Sequence, residues 1–261
     1  MEIRTFAHRI VASPRVADKL RPPSRSLTDD APGCPLRVKR PGRGAALAIV
    51  PSTASRVPAA AGFCDPAQRP RILHALANHE LQAVELFAWA LLAFPDAPAA
   101  FRRGVLDILR EEQAHVRLYQ RRLEAYGKSL GDYPVTGYFW GKIDGLVTAA
   151  HFVCAMSLTF ENANLDHTDE YAAAARSAGD QETAAVIDRI HDDEIGHVGF
   201  GWRWLKALKD EDESMWSAYV SRIDWPLRPA LARGANFSPE GRVAAGLEPE
   251  FIRRLEAAAR S

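Results

Sequence analysis

Twice in this 261-residue chain a glutamate stands three residues before a histidine inside a long stretch of helical periodicity: Glu112-Gln113-Ala114-His115 and Glu194-Ile195-Gly196-His197. Residues at i and i+3 share a helix face, so each pair aims a carboxylate and an imidazole in one direction. That direction is inward. Glu112 lies among Ile108, Leu109 and Val116, and Glu194 among Ile187, Ile190 and Val198. Two further stretches each set one glutamate on an apolar stripe, Glu80 with Leu76, Ala83, Val84 and Phe87, and Glu161 with Cys154, Leu158 and Leu165.

Periodicity and punctuation predict four long helices. The first spans about 69–94 and ends at Pro95, because the residue before a proline resists the α conformation. The second starts near Pro98 and is capped by Gly127. The third runs from about Thr148 to 177–179, and Asp180 caps the fourth, which reaches about Lys209. The order is hairpin, long glycine-rich connection over 127–147, hairpin. This order predicts an all-α, ferritin-like four-helix bundle: two antiparallel hairpins joined by one long crossover. Register supports it. Glu80 and Glu112 are 32 residues apart across the first turn, and Glu161 and Glu194 are 33 apart across the second. The rival on the first helix, Glu85, also has apolar neighbours, but its separation of 27 from Glu112 breaks the pattern.

Four carboxylates facing a core are prohibitively costly unless they are paired or coordinate metal. Four ionised Glu and two neutral His balance two divalent cations. One Glu from each of two helices and Glu-x-x-His from the other two is the ligand set of di-iron carboxylate bundles. The expected ligands are Glu80, Glu112, His115, Glu161, Glu194 and His197. Such donors suit iron, manganese or a mixed pair better than zinc or copper. Glu111 and Asp193 immediately precede the ligand glutamates. They are expected to accept the remaining N–H of the histidine on the opposite hairpin. His74, His79, His151, His167 and His191 read as surface or supporting imidazoles. Tyr119, one turn after His115, reads as core packing, with a phenol near the metals as the alternative.

The flanks read differently. Residues 1–70 hold 12 Lys/Arg against 5 Asp/Glu, and the remainder 21 against 28. This extended basic arm is expected to lie against the acidic body of its own chain, RNA binding being the alternative. It should be mostly extended, with a turn or two of helix in Arg15–Leu20 and a strand-like run over Ala45–Val50. The bundle occupies 71–210. A helical C-terminal extension, 211–261, holds Trp216, Tyr219, Trp225 and a final helix over 248–259. At 47% hydrophobic and 25% charged residues the chain is too apolar for disorder. Its longest apolar run, Leu86–Phe94, is too short for a bilayer span. Met1-Glu2-Ile3-Arg4 does not begin a signal peptide. Cys34, Cys64 and Cys154 are too scattered for a disulfide framework or thiolate zinc site. A cytoplasmic protein without membrane association is expected.

At these residues the chain resembles the ferritin-like di-iron superfamily and, within it, the bacterial family called domain of unknown function 455. The resemblance is carried by His79-Glu80-Leu81-Gln82-Ala83-Val84-Glu85-Leu86, Glu111-Glu112-Gln113-Ala114-His115 and Gly131-Asp132-Tyr133-Pro134-Val135. Phe160-Glu161-Asn162-Ala163-Asn164-Leu165-Asp166 and Asp193-Glu194-Ile195-Gly196-His197-Val198-Gly199-Phe200-Gly201 continue it, as does Pro41-Gly42-Arg43 in the arm. The chain departs from the family pattern at Glu111, where Asp is usual, and at Asn162-Ala163-Asn164, where small-Arg-Gly is usual. The first keeps a carboxylate in place on a longer side chain. The second changes groups near Glu161 and bears on the substrate rather than the metal.

The ligand set leads to a non-haem di-iron oxidoreductase that uses O₂ to hydroxylate or desaturate a substrate in an adjoining apolar pocket. Reductant is expected from a separate electron-donor protein, because the chain has no flavin or nicotinamide motif. The alternatives are an iron-binding ferroxidase without organic substrate and, from the basic arm, a tRNA-modifying hydroxylase.

Overall fold

The structure is a computed structural model that describes residues 1–24, 26–224 and 226–258. Trp225 and residue 259 of the expected final helix lie outside the described residues. The chain is mostly helical, with ten α-helices and a single pair of two-residue strands among the described residues. It divides into two compact units, Met1–Ile143 and Asp144–Ser261.

The first unit is built on a helical hairpin. Its N-terminal helices α1 (Ile3–Ala12) and α2 (Val16–Lys19) precede β1 (Ile49–Val50), then the two long helices α3 (Arg69–Ala93) and α4 (Ala99–Ala125). From Glu80 to Ala93 every residue of α3 is buried, as expected for a helix apolar on all sides. Phe94 ends it before Pro95 outside the α region, at φ −123° and ψ 62°. Arg102 of α4 donates to the carbonyls of Leu91 and Phe94 at 2.8 and 3.1 Å, satisfying acceptors that α3 leaves open at its end. Gly127, at φ +67°, terminates α4, with Lys128 N–H returning to the Leu123 carbonyl.

The arm departs from the mostly extended form expected of it. Residues 3–12 form α1, which packs on α3 and buries Ile3, Phe6, Ala7, Ile10 and Val11. These positions repeat at helical spacing, so an amphipathic signal was present under the proline- and arginine-rich texture that follows. Of the strand-like run Ala45–Val50, Ala45–Leu47 forms a 3₁₀ turn and only Ile49–Val50 is a strand. It pairs in parallel with β2 (Val135–Thr136) of the glycine-rich connection. That connection is fastened at several points. Gly131, at φ +113°, donates its amide to His74 Nε2 at 2.8 Å, and Phe139 N–H donates to Gln82 Oε1 at 3.1 Å.

The second unit contains α5 (Ala149–Ala155), a π-helical segment Met156–Glu161, α6 (Asn162–Ser177) and α7 (Gln181–Leu208), followed by α8 (Met215–Val220), α9 (Glu240–Ala244) and α10 (Pro249–Ala257). Gly179, at φ +76°, makes the turn into α7, and the Asp180 side chain accepts from Thr183 N–H at 3.1 Å. The expected third helix is therefore interrupted by the π segment. Two local features accompany it. Thr159 Oγ1 donates to the Cys154 carbonyl at 2.8 Å and is hydrogen-bonded to the Tyr219 hydroxyl. Opposite, a Cβ on Gly201 of α7 would come within 2.3 Å of Ser157 Cβ. The widened turn and the bare glycine let the two backbones approach closely.

Gly201→Ala should thus lower stability by about 1–3 kcal/mol through overpacking. Gly196→Ala, on an exposed position of α7 with open space around it, should raise it by about 0.4–1 kcal/mol. Thermal unfolding of the two variants checks the opposite signs.

Candidate functional site

In the first unit, α3 supplies Glu80 and α4 supplies Glu112 and His115, all buried. His115 Nδ1 is 3.5 Å from Glu112 Oε2 and 3.8 Å from Glu80 Oε2. Each of the three offers a ligand atom within 4.8 Å of the other two. Two carboxylates out of water and close together disfavour ionisation. Burial, and next the charge of Glu112, push the Glu80 carboxyl well above the ordinary carboxylate range, while His115 pulls it back.

The second unit repeats the composition. Glu161 stands at the end of the π segment, and α7 supplies Glu194 and His197; all three are buried. His197 Nδ1 is 3.4 Å from Glu194 Oε2, and the three again offer ligand atoms within 4.8 Å of one another. Glu194 Oε1 accepts from Asn164 Nδ2 at 2.8 Å. Its Oε2 is buried and makes no hydrogen bond among the described residues.

Two other buried acids show how this chain normally compensates a carboxylate. Glu85, 0% exposed, receives both oxygens' worth of partners: Arg43 Nε and Nη2 at 3.0 and 2.9 Å, Lys19 Nζ at 3.1 Å and Trp140 Nε1 at 2.8 Å. Asp166 is held bidentately by Arg242, itself 0% exposed, at 2.8 and 2.9 Å. Its oxygens also accept the amides of Gly234 and Ser238. Glu80 and Glu194 have no Lys or Arg partner among the described residues. A buried cluster of two carboxylates and one imidazole, in which Glu80 or Glu194 has no Lys or Arg partner among the described residues, matches what a divalent metal requires of its ligands. Glu85 is a structural anion and belongs to neither of the buried Glu/His groups that could hold a metal ion.

A family model described as "Protein of unknown function (DUF455)" matches residues 5–253. The chain belongs to the DUF455 family. A Haemophilus influenzae protein described as "Uncharacterized protein" is 30% identical over 146 residues, which are 52% of this chain and 50% of that protein. The chain thus spans about half the length of that curated relative. No solved structure gives a significant match.

Glu111 is exposed. Asp193 accepts from Arg189 Nε at 3.4 Å, one turn earlier on α7. His74 is buried in the first unit as an acceptor. His151 is hydrogen-bonded through Nδ1 to Thr148 Oγ1 at the start of α5, and His191 to Thr168 Oγ1. His79 stacks at a tilt on Phe139, and Tyr119 is buried. Sequence reasoning missed Asn164 and the clasps on Glu85 and Asp166. Asn164 is separated from Glu194 by 30 residues, and its only signal was its place in the stretch that departs from the family pattern.

In metal-free, chelator-treated protein, Glu80→Gln should raise the melting temperature near neutral pH. A carboxyl whose folded pKa is raised costs stability once the pH exceeds its unfolded pKa, so the gain should vanish in acid below the ordinary carboxylate range. Glu85→Gln should instead destabilise by about 3–5 kcal/mol, because it leaves Lys19 and Arg43 buried with diminished compensation. Melting curves across pH distinguish the two.

Proposed function

We propose that this chain is a non-haem di-iron oxidoreductase in which the two Glu/Glu/His clusters form one binuclear centre inside a ferritin-like four-helix bundle. The observation that carries the reading is the burial of Glu80 and Glu194 without a Lys or Arg partner among the described residues, in a chain that gives Glu85 two cations and Asp166 one. The separations of 32 and 33 residues between the paired glutamates support a common depth for the two clusters. Glu80, Glu112, Glu161 and Glu194, with neutral His115 and His197, would balance two divalent ions. Oxygen-rich donors with two imidazoles favour iron, and accommodate manganese or a mixed pair.

When bound, an iron pair supplies dioxygen activation for hydroxylation or desaturation of an organic substrate. The residues of this chain do the holding and orienting. Asn164 fixes one oxygen of Glu194 and leaves the other available. Glu111 and Asp193, in this reading, accept the outward N–H of the two histidines and set their tautomers. The buried, largely apolar faces of α3 and α7 keep bulk water from the carboxylates. Electrons come from a separate donor protein.

Protein purified from iron-supplemented cells should carry about two equivalents of iron per chain, and Glu80→Gln or Glu194→Gln should lose at least half of it. The chemically reduced protein should consume O₂ without accumulating ferric mineral. Iron-free protein, or O₂ uptake that yields only ferric mineral, would overturn the oxidoreductase.

A further inference from the structure

Away from the carboxylate clusters, the first unit contains a small cleft of about 60 Å³ between α3, the segment 54–57 and the strand β2 with its approach. No Asp or Glu lines it. Two arginines do, Arg56 and Arg71, both exposed and neither in an ion pair among the described residues. Arg71 is steadied by Tyr133, its guanidinium carbon lying 5.5 Å from the ring centroid.

The base of the cleft contains His74, only 1% exposed. A backbone N–H can only donate, so the 2.8 Å bond from Gly131 makes His74 Nε2 an acceptor and leaves the ring proton on Nδ1. That Nδ1–H has no hydrogen-bond partner among the described residues. Burial holds the ring's pKa down to about 4, against the pull of Asp132, so the neutral form persists at neutral pH. Asp132 does not line the cleft; its carboxylate accepts the Ser129 amide at 2.9 Å.

We propose that this cleft binds the terminal phosphate of a small phosphorylated molecule, with Arg56 and Arg71 as counter-charges and His74 Nδ1–H as the directional donor. Two uncompensated guanidiniums match the two charges of a phosphate monoester, and their planar forks match its oxygens. The recessed position of His74 selects a terminal group over the phosphodiester of a nucleic-acid backbone. The site is independent of the metal reading, since none of the proposed metal ligands lines it.

The test is titration of the full-length protein with inorganic phosphate, followed by calorimetry and by the imidazole nitrogen signals of His74, with acetate and a single-stranded oligonucleotide lacking terminal phosphate as comparison arms. Phosphate should bind and shift the His74 signals, and acetate should bind more weakly. Arg71→Gln and Arg56→Gln, both at exposed positions, should each raise the dissociation constant by about tenfold, the worth of one charge-assisted contact. Glu80→Gln should leave it unchanged, which separates this cleft from phosphate held at a metal. Absence of phosphate binding, equal affinity in the arginine variants, loss of binding in Glu80→Gln, or preference for the oligonucleotide would each overturn the proposal.

Discussion

A carboxylate taken out of water must be met by positive charge or give up its own, and the helices of this chain are organised by how that demand is met. Glu85 and Glu80 lie on the same helix, five residues apart and both buried, yet their surroundings are opposite. Around Glu85 the chain brings Lys19, Arg43 and the Trp140 indole from three different segments. Around Glu80 it brings Glu112 and a histidine. The first arrangement spends an anion to fasten backbone; the second accumulates anions. Removing a partner from the first leaves charges stranded, whereas the second is the costly one as long as no cation enters. The anion that fastens backbone and the anions that accumulate are therefore separated along one helix.

The fastening around Glu85 also explains why a chain with so little strand has an ordered arm and connection. Lys19 reaches Glu85 while donating to the Ile10 carbonyl at 2.7 Å, which ties the end of α1 to α3. Arg43 follows Gly42, whose amide donates to the Val11 carbonyl and whose missing side chain admits the Ala12 carbonyl. Arg43 also donates to Asn78, and Asn78 donates to Thr136 in β2. A single buried anion thus collects α1, the arm and the glycine-rich connection onto α3. In the second unit Asp166 does comparable work, with Arg242 also donating to the Asn162 carbonyl and lying over the Phe237 ring at 4.0 Å.

What the sequence made legible follows from range. The boundaries of α3, α4, α6 and α7 depend on neighbours a few residues away: Pro95, Gly127, Gly179 and Asp180 each act on the backbone beside them. The Glu-x-x-His pairs are legible for the same reason, since i and i+3 are neighbours on any helix. The clasps were not legible, because Lys19 meets Glu85 across 66 positions and Arg242 meets Asp166 across 76. The π segment is a different failure. Nothing within Met156–Glu161 forbids an ordinary helix; Gly201 on α7, with no side chain to hold Ser157 away, lets that segment be approached closely. The arm hid α1 because its prolines and arginines dominated the composition, although Ile3, Phe6, Ile10 and Val11 already stood at helical spacing.

The two clusters share a composition and differ in support, and that difference has a chemical consequence. Glu194 is oriented by a neutral amide, Asn164, which fixes one oxygen without adding charge. Glu80 is flanked by Glu112, which adds charge of the same sign and raises the proton affinity of the site. The amide orients one oxygen of Glu194, and the neighbouring carboxylate makes the Glu80 carboxyl resist ionisation as long as no cation enters. In the proposed binuclear centre an ion held by Glu80 would therefore compete with a proton for that carboxylate. Asn164, which orients Glu194, lies in the stretch where the chain departs from the pattern it otherwise resembles.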